Sequence, residues 1–226
     1  MFVMTVDQRG SRRDVDRVDA VLARLRDVET VRPFERTAGD EIQGILDDPA
    51  TTARLAVELT ADGHWSVGIG TGPVDEPLPA STRAGRGPAF INARDAVEAA
   101  KRHRIPFCVR GPETRWCRHA QTAGRLIADI VAARSPAGIE AVAAMRRGLT
   151  QVEAASELGI TPQAMSQRLR AAGWDLEADS MDLVTDALAL TDQNTAGQNT
   201  AGQNTTGQNT TGQNTTGQNT TAGEMR

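Results

Sequence analysis

Gln151–Arg170 reads QVEAASELGITPQAMSQRLR, and parsing it as two short helices around a tight turn sets how the chain on either side divides. Thr150 stands at an N-cap position, and Glu153, three residues on, is the reciprocal partner of a capping box. Ala155 is small where two crossing helices would approach most closely. Gly159 falls where the first helix must stop, a place that favours positive φ. Thr161 then caps a second helix, with Pro162 at its first position, where a fixed φ suits the helix and no donor is needed. Leu158, Ile160, Met165 and Leu169 form the inward side, leaving Gln163, Ser166, Gln167 and Arg170 outward. That is the helix-turn-helix pattern, expected over residues 150–174. Gln and Arg can read adenine and guanine edges in the major groove, and hydroxyls such as those of Thr161 and Ser166 can hold phosphate. The plainer alternative is a helical hairpin packed inside a larger domain.

A chain of 226 residues with 39% hydrophobic residues can bury one large or two small cores. Its net charge of −4 is unevenly spread. Lys101 to Arg147 holds ten basic and three acidic residues, whereas Gln151 to Asp192 holds two basic and eight acidic. A basic stretch before the outer helix is the electrostatic footprint expected of a DNA reader, with Arg146 and Arg147 as phosphate contacts. Such proteins usually bind spaced half-sites as homodimers. No apolar run is long enough to cross a bilayer, so no membrane partner is expected. The N-terminus lacks the charged and apolar regions of a signal peptide, and there are two cysteines, Cys108 and Cys117; reduced thiols and a cytoplasmic location follow as expectations. The spacing of those cysteines with His103 and His119 fits no structural zinc pattern.

Upstream, Met1–Val6 reads as a strand and Asp14–Arg26 as an amphipathic helix through Val15, Val18, Leu22 and Leu25. Val31–Thr37 and Ile42–Leu46 form a hairpin turning at Gly39-Asp40-Glu41. A helix over Ala50–Thr60, a strand through Trp65, Val67 and Ile69, a Pro/Gly loop to Pro88, a helix from Phe90 and a strand at Ile105–Val109 follow. The order β-α-β-β-α-β, plus one helix and strand, gives an α+β class: a ferredoxin-like, palm-like domain over 1–110, its antiparallel sheet covered by helices on one face. An all-helical domain at 111–190 carries the helix-turn-helix, supported by a helix striped with Ile139, Val142 and Met145. From 191 to 226 the chain becomes a QNT(A/T)G repeat with nothing to bury, and is expected to be disordered.

Asp40 and Glu41 at the hairpin tip fall, in this topology, near Asp7 at the end of the first strand. Carboxylates from adjacent strand ends can hold Mg²⁺ through hard oxygen ligands. Acids also populate turns for purely local reasons. Gly68-x-Gly70-x-Gly72 precedes Pro73 and a loop, so it is no dinucleotide fingerprint; it lets backbone approach a neighbour or ligand. No nucleophile–base pair is in evidence, and catalysis is not expected.

Taken together, Asp7-x-x-x-Ser11-Arg12, Thr37-x-Gly39-Asp40-Glu41-x-Gln43-Gly44, Gly68-Ile69-Gly70-Thr71-Gly72 and Gly87-Pro88-Ala89 with Ala93-Arg94 resemble the SatD family, whose actinobacterial members commonly append a helix-turn-helix. The resemblance covers residues 1–110 directly. A more distant likeness joins this region to the palm-like domain of class III and GGDEF-type nucleotidyl cyclases, and implies Asp7 and Asp40 as metal ligands with Glu41 beside them. Those enzymes space an Asn and an Arg four apart on the later helix; here Asn92 and Arg94 are two apart. The combined expectation is a DNA-binding transcriptional regulator whose N-terminal domain is a sensor or scaffold, taking a small-molecule effector or nucleotide. A Mg²⁺-dependent nucleotide-binding protein is the alternative.

Overall fold

The computed structural model describes residues 1–191; the expected disorder of the QNT repeat falls on residues outside that range. The chain forms a five-stranded mixed sheet and a set of helices. In order these are β1 (Phe2–Gln8), α1 (Val18–Leu25), β2 (Arg32–Ala38), β3 (Glu41–Leu46), α2 (Pro49–Asp62), β4 (Trp65–Thr71), α3 (Pro88–Ala100), β5 (Phe107–Arg110), α4 (Thr114–Ala132), α5 (Pro136–Arg146), α6 (Gln151–Glu157), α7 (Pro162–Ala171) and α8 (Trp174–Thr191). The sheet order is β2-β3-β1-β4-β5. β1 pairs antiparallel with both β3 and β4, while β5 joins β4 in parallel through α3.

Strand alternation sends Phe2, Met4 and Val6 of β1, Trp65, Val67 and Ile69 of β4, and Phe107 and Val109 of β5 to one face, where α1, α2, α4 and α8 cover them. The opposite face carries Val3, Ile45, Cys108 and the glycines of β4 beneath α3. Helices therefore cover both faces, not one. The cause is the added β5: a parallel connection needs a crossover, and α3 makes it over the second face. Gly68 and Gly70 permit that crossover to sit directly on backbone, since a Cβ at Gly70 would lie 2.1 Å from Ala89 O and one at Gly68 2.2 Å from Val97 N.

The packing does not divide at residue 110. Residues of α4 (Ala120, Ile127, Ala128) and of α8 (Val184, Ala187, Leu188) are buried in the same core as the sheet. A second, smaller core joins Ala141, Val142 and Ala144 of α5, Ala154 and Ala155 of α6, and Met165 and Leu169 of α7. The three short helices α5–α7 are thus an excursion between α4 and α8, which pack on each other and return the chain to the sheet. Arg134, at the end of α4, fastens this excursion. Its side chain is 3% exposed, its Nε donates to Ala172 O (2.9 Å), and its Nη2 donates to Glu177 (2.7 Å).

Candidate functional site

Two places bring sequence-designated residues together: the outer face of α7 and the end of β1. Around α7 the local chemistry is as expected. Thr150 Oγ1 accepts from Glu153 N (3.2 Å), and the Glu153 carboxylate accepts from Thr150 N (2.8 Å), closing the capping box. The Thr150 backbone and hydroxyl hydrogen bonds hold that carboxyl below the ordinary glutamate range. Gly159 turns at φ +64°, and Ile160 N donates to Ala155 O (2.9 Å), tying the turn back to α6. Thr161 Oγ1 accepts from Ala164 N (3.1 Å) with Pro162 opening α7. Met165 and Leu169 are buried, whereas Leu158 and Ile160 pack at the margin of the small core.

Gln163, Gln167 and Arg170 stand exposed on α7 and make no side-chain hydrogen bond or ion pair within the described residues. Ser166 is half-buried beside Gln151, Arg170 and Trp174. The expected phosphate contacts are differently placed. Arg146 is ion-paired with Glu177, and Arg147 with Glu157. Arg134 is buried, and Arg168 leans toward Glu140 at 3.9 Å. Glu177 is buried enough to favour its neutral form, but hydrogen bonds from Arg146 and Arg134 outweigh burial and hold its carboxyl below the usual range. The basic surplus of residues 101–147 does not gather beside α7. Lys101 and Arg104 pair with acids of the sheet unit, and Arg125 donates to Phe107 O and Cys108 Sγ. A count along the sequence misses this, because neutralising partners come from other elements.

At the end of β1, Asp7 sits opposite Glu41 of β3 and Ser66 of β4. Asp7 and Asp40 line one open hollow of about 570 Å³ with Gly10, Ser11, Arg12, Arg13 and Lys101. The loop above it is held by buried Gln8, whose Nε2 donates to Val15 O (2.7 Å) while its Oε1 accepts from Arg17 N (2.9 Å). Lys101 Nζ lies 3.0 Å from Asp7 Oδ2 and 2.7 Å from Glu98 Oε1. Burial pushes the Asp7 carboxyl up; the Lys101 hydrogen bond and charge pull it down, and the nearby Asp40 and Glu41 charges add to the rise, leaving it above the usual range. Glu41 is turned to Thr37, whose Oγ1 donates to it at 2.6 Å. Asp7, Asp40 and Glu41 therefore share a neighbourhood without forming a three-carboxylate set, and among the described residues no three His, Cys, Asp or Glu side chains group to hold a metal.

Sequence reasoning missed Lys101. It follows the end of α3 and carries no motif; only the seating of α3 on β4 brings it to Asp7. Asn92 is likewise committed elsewhere, its Nδ2 donating to Thr71 O at 2.8 Å. Cys108 and Cys117 are free and buried, and burial raises both thiols, Cys117 to about 11. No helix among the described residues is long and apolar enough to cross a membrane. Compared with protein-family models, with curated proteins and with solved structures, the chain shows no match in any of the three.

Proposed function

We propose that this chain is a DNA-binding transcriptional regulator in which a ferredoxin-like, SatD-type sheet unit carries and orients a helix-turn-helix. The strand order β4-β1-β3-β2, antiparallel at every step, supports a split βαβ with β5 as an addition. The observation that carries the functional assignment is the outer face of α7. Gln163, Gln167 and Arg170 project from a capped second helix on its own small core, and nothing among the described residues uses them. Polar side chains of these types, held on a rigid helix and left unpaired, are the donors and acceptors that direct base readout needs. Thr161 and Ser166 would meet phosphate near the helix start.

Arg146 and Arg147 contribute to phosphate contact only by exchanging their acidic partners, so the electrostatic part of binding per chain is small. A homodimer on two half-sites about 34 Å apart doubles it. The test is a gel-shift with fragments of the source genome at about 50 mM salt. Binding is expected, and expected to vanish in Gln167→Ala/Arg170→Ala at unchanged helical content. No bound fragment, or binding unaltered by the double substitution, overturns the assignment.

The second reading, Mg²⁺-assisted nucleotide binding, has one observation in its favour: Asp7 and Asp40 line the same hollow. Against it, the Lys101 ammonium holds Asp7 where a cation would sit. Thermal stabilisation by Mg²⁺ with a nucleoside triphosphate, abolished by Asp40→Asn, is what this reading requires.

A further inference from the structure

A cavity of about 950 Å³ lies between the sheet unit and the three-helix excursion. One wall is α2 and α4, with Val57, Ala61, Ile127 and Val131; the other is α5, with Ile139, Val142 and Ala143; Met181 of α8 forms the floor. The space exists because α5 packs on α6 and α7, whereas α2 packs on α4, α8 and the sheet. Ile139 is the telling residue. Helical spacing assigns it to the supporting core, yet it is 55% exposed and looks into the cleft.

Most charges around the cleft are matched; among the lining residues Asp182 has no ion-pair partner. Arg134 and Arg146 share Glu177, Arg147 pairs with Glu157, Arg54 with Glu58, and Arg24 with Asp62. An anionic ligand would have to displace one of these pairs, and a lone carboxylate open to solvent holds a cation weakly, whereas an uncharged apolar ligand needs only the apolar walls. The volume is in the range of small-molecule sites, roughly 300–1,000 Å³, which are mostly apolar and favour junctions between units. A half-open concavity of that volume suits a compact molecule better than the flat face of a second copy.

We infer that this cleft binds a neutral, apolar small molecule. The ligand would touch both walls, α2 and α4 on one side and α5 on the other. The inference does not rest on the DNA-binding assignment.

The experiment is a titration of the full chain with Nile red, an uncharged apolar dye, followed by fluorescence. Ala143→Trp is the paired variant, since Ala143 is exposed, lines the cleft and belongs to neither core. Saturable binding at one dye per chain is expected, weakened at least tenfold in Ala143→Trp at unchanged melting temperature. Absence of saturable binding, or equal binding by the variant, overturns the inference. A dimer in sedimentation velocity that excludes the dye and dissociates in Ala143→Trp also overturns it, assigning the cleft to a second copy. Dye binding without any DNA binding leaves the cleft standing and removes the regulator assignment; DNA binding without dye binding does the reverse.

Discussion

Gly70→Ala should be among the most damaging single-methyl additions in this protein. The new Cβ would lie 2.1 Å from Ala89 O and 2.2 Å from Ala93 N, both backbone atoms that cannot rotate aside. Ordinary contact needs about 3.5 Å, so α3 must rise by roughly 1.4 Å. Its buried face holds Ala89, Phe90, Ala93, Ala96, Val97 and Ala100. At about 0.8 kcal/mol for each alanine methyl and about 2 each for the valine and the phenylalanine, that face contributes roughly 7 kcal/mol. A gap of this size forfeits about half of it. Lengthening the Asn92–Thr71 hydrogen bond removes about 1 kcal/mol more. Alanine's better strand propensity returns about 0.5 kcal/mol. The expected loss is about 4 kcal/mol, or a fall in Tm of about 8–16 °C for a chain of this size. Urea unfolding followed by far-UV circular dichroism measures it. Gly63→Ala is the control: φ is +84° and no atom lies within 4 Å of the new methyl, so only backbone strain of about 1 kcal/mol applies. If Gly70→Ala proves no worse than Gly63→Ala, close seating of α3 on β4 is not what the glycines are for.

Arg134→Ala removes one partner of a buried pair and should cost about 3 kcal/mol in the same assay, a loss under about 1 kcal/mol refuting the clamp. Because Glu177 is held below the ordinary glutamate range, its stabilisation is complete above that range and disappears as pH falls through the depressed value; Glu177→Gln should flatten that acid limb of a Tm–pH profile. Thr150→Ala and Thr161→Ala each delete a cap and should cost about 1 kcal/mol, measured by urea unfolding; neither changing stability would mean the caps are ornamental. Cys117, raised to about 11, and buried Cys108 should resist Ellman's reagent in the native chain and react at once in denaturant; prompt native labelling would contradict their burial.

The local elements and their punctuation follow from residues close together along the chain. Thr150 with Glu153, Gly159, and Thr161 with Pro162 act within five residues, where backbone donors and φ preferences are decided, so they are legible in one pass. The order of strands and helices in the sheet unit was legible for the same reason, since alternation and helical period are local. Tertiary structure decided everything that depends on a distant partner. It returned α8 to the sheet core, seated α3 on the second face, and brought Lys101 to Asp7. It also spent Arg134, Arg146 and Arg147 on Glu177 and Glu157, where charge counting along the chain reads them as free. An amphipathic stripe says that a residue seeks an apolar neighbour, not which one. Ile139 follows the stripe of α5 and still faces a cleft, because only the packing of neighbouring helices determines whether a partner is there.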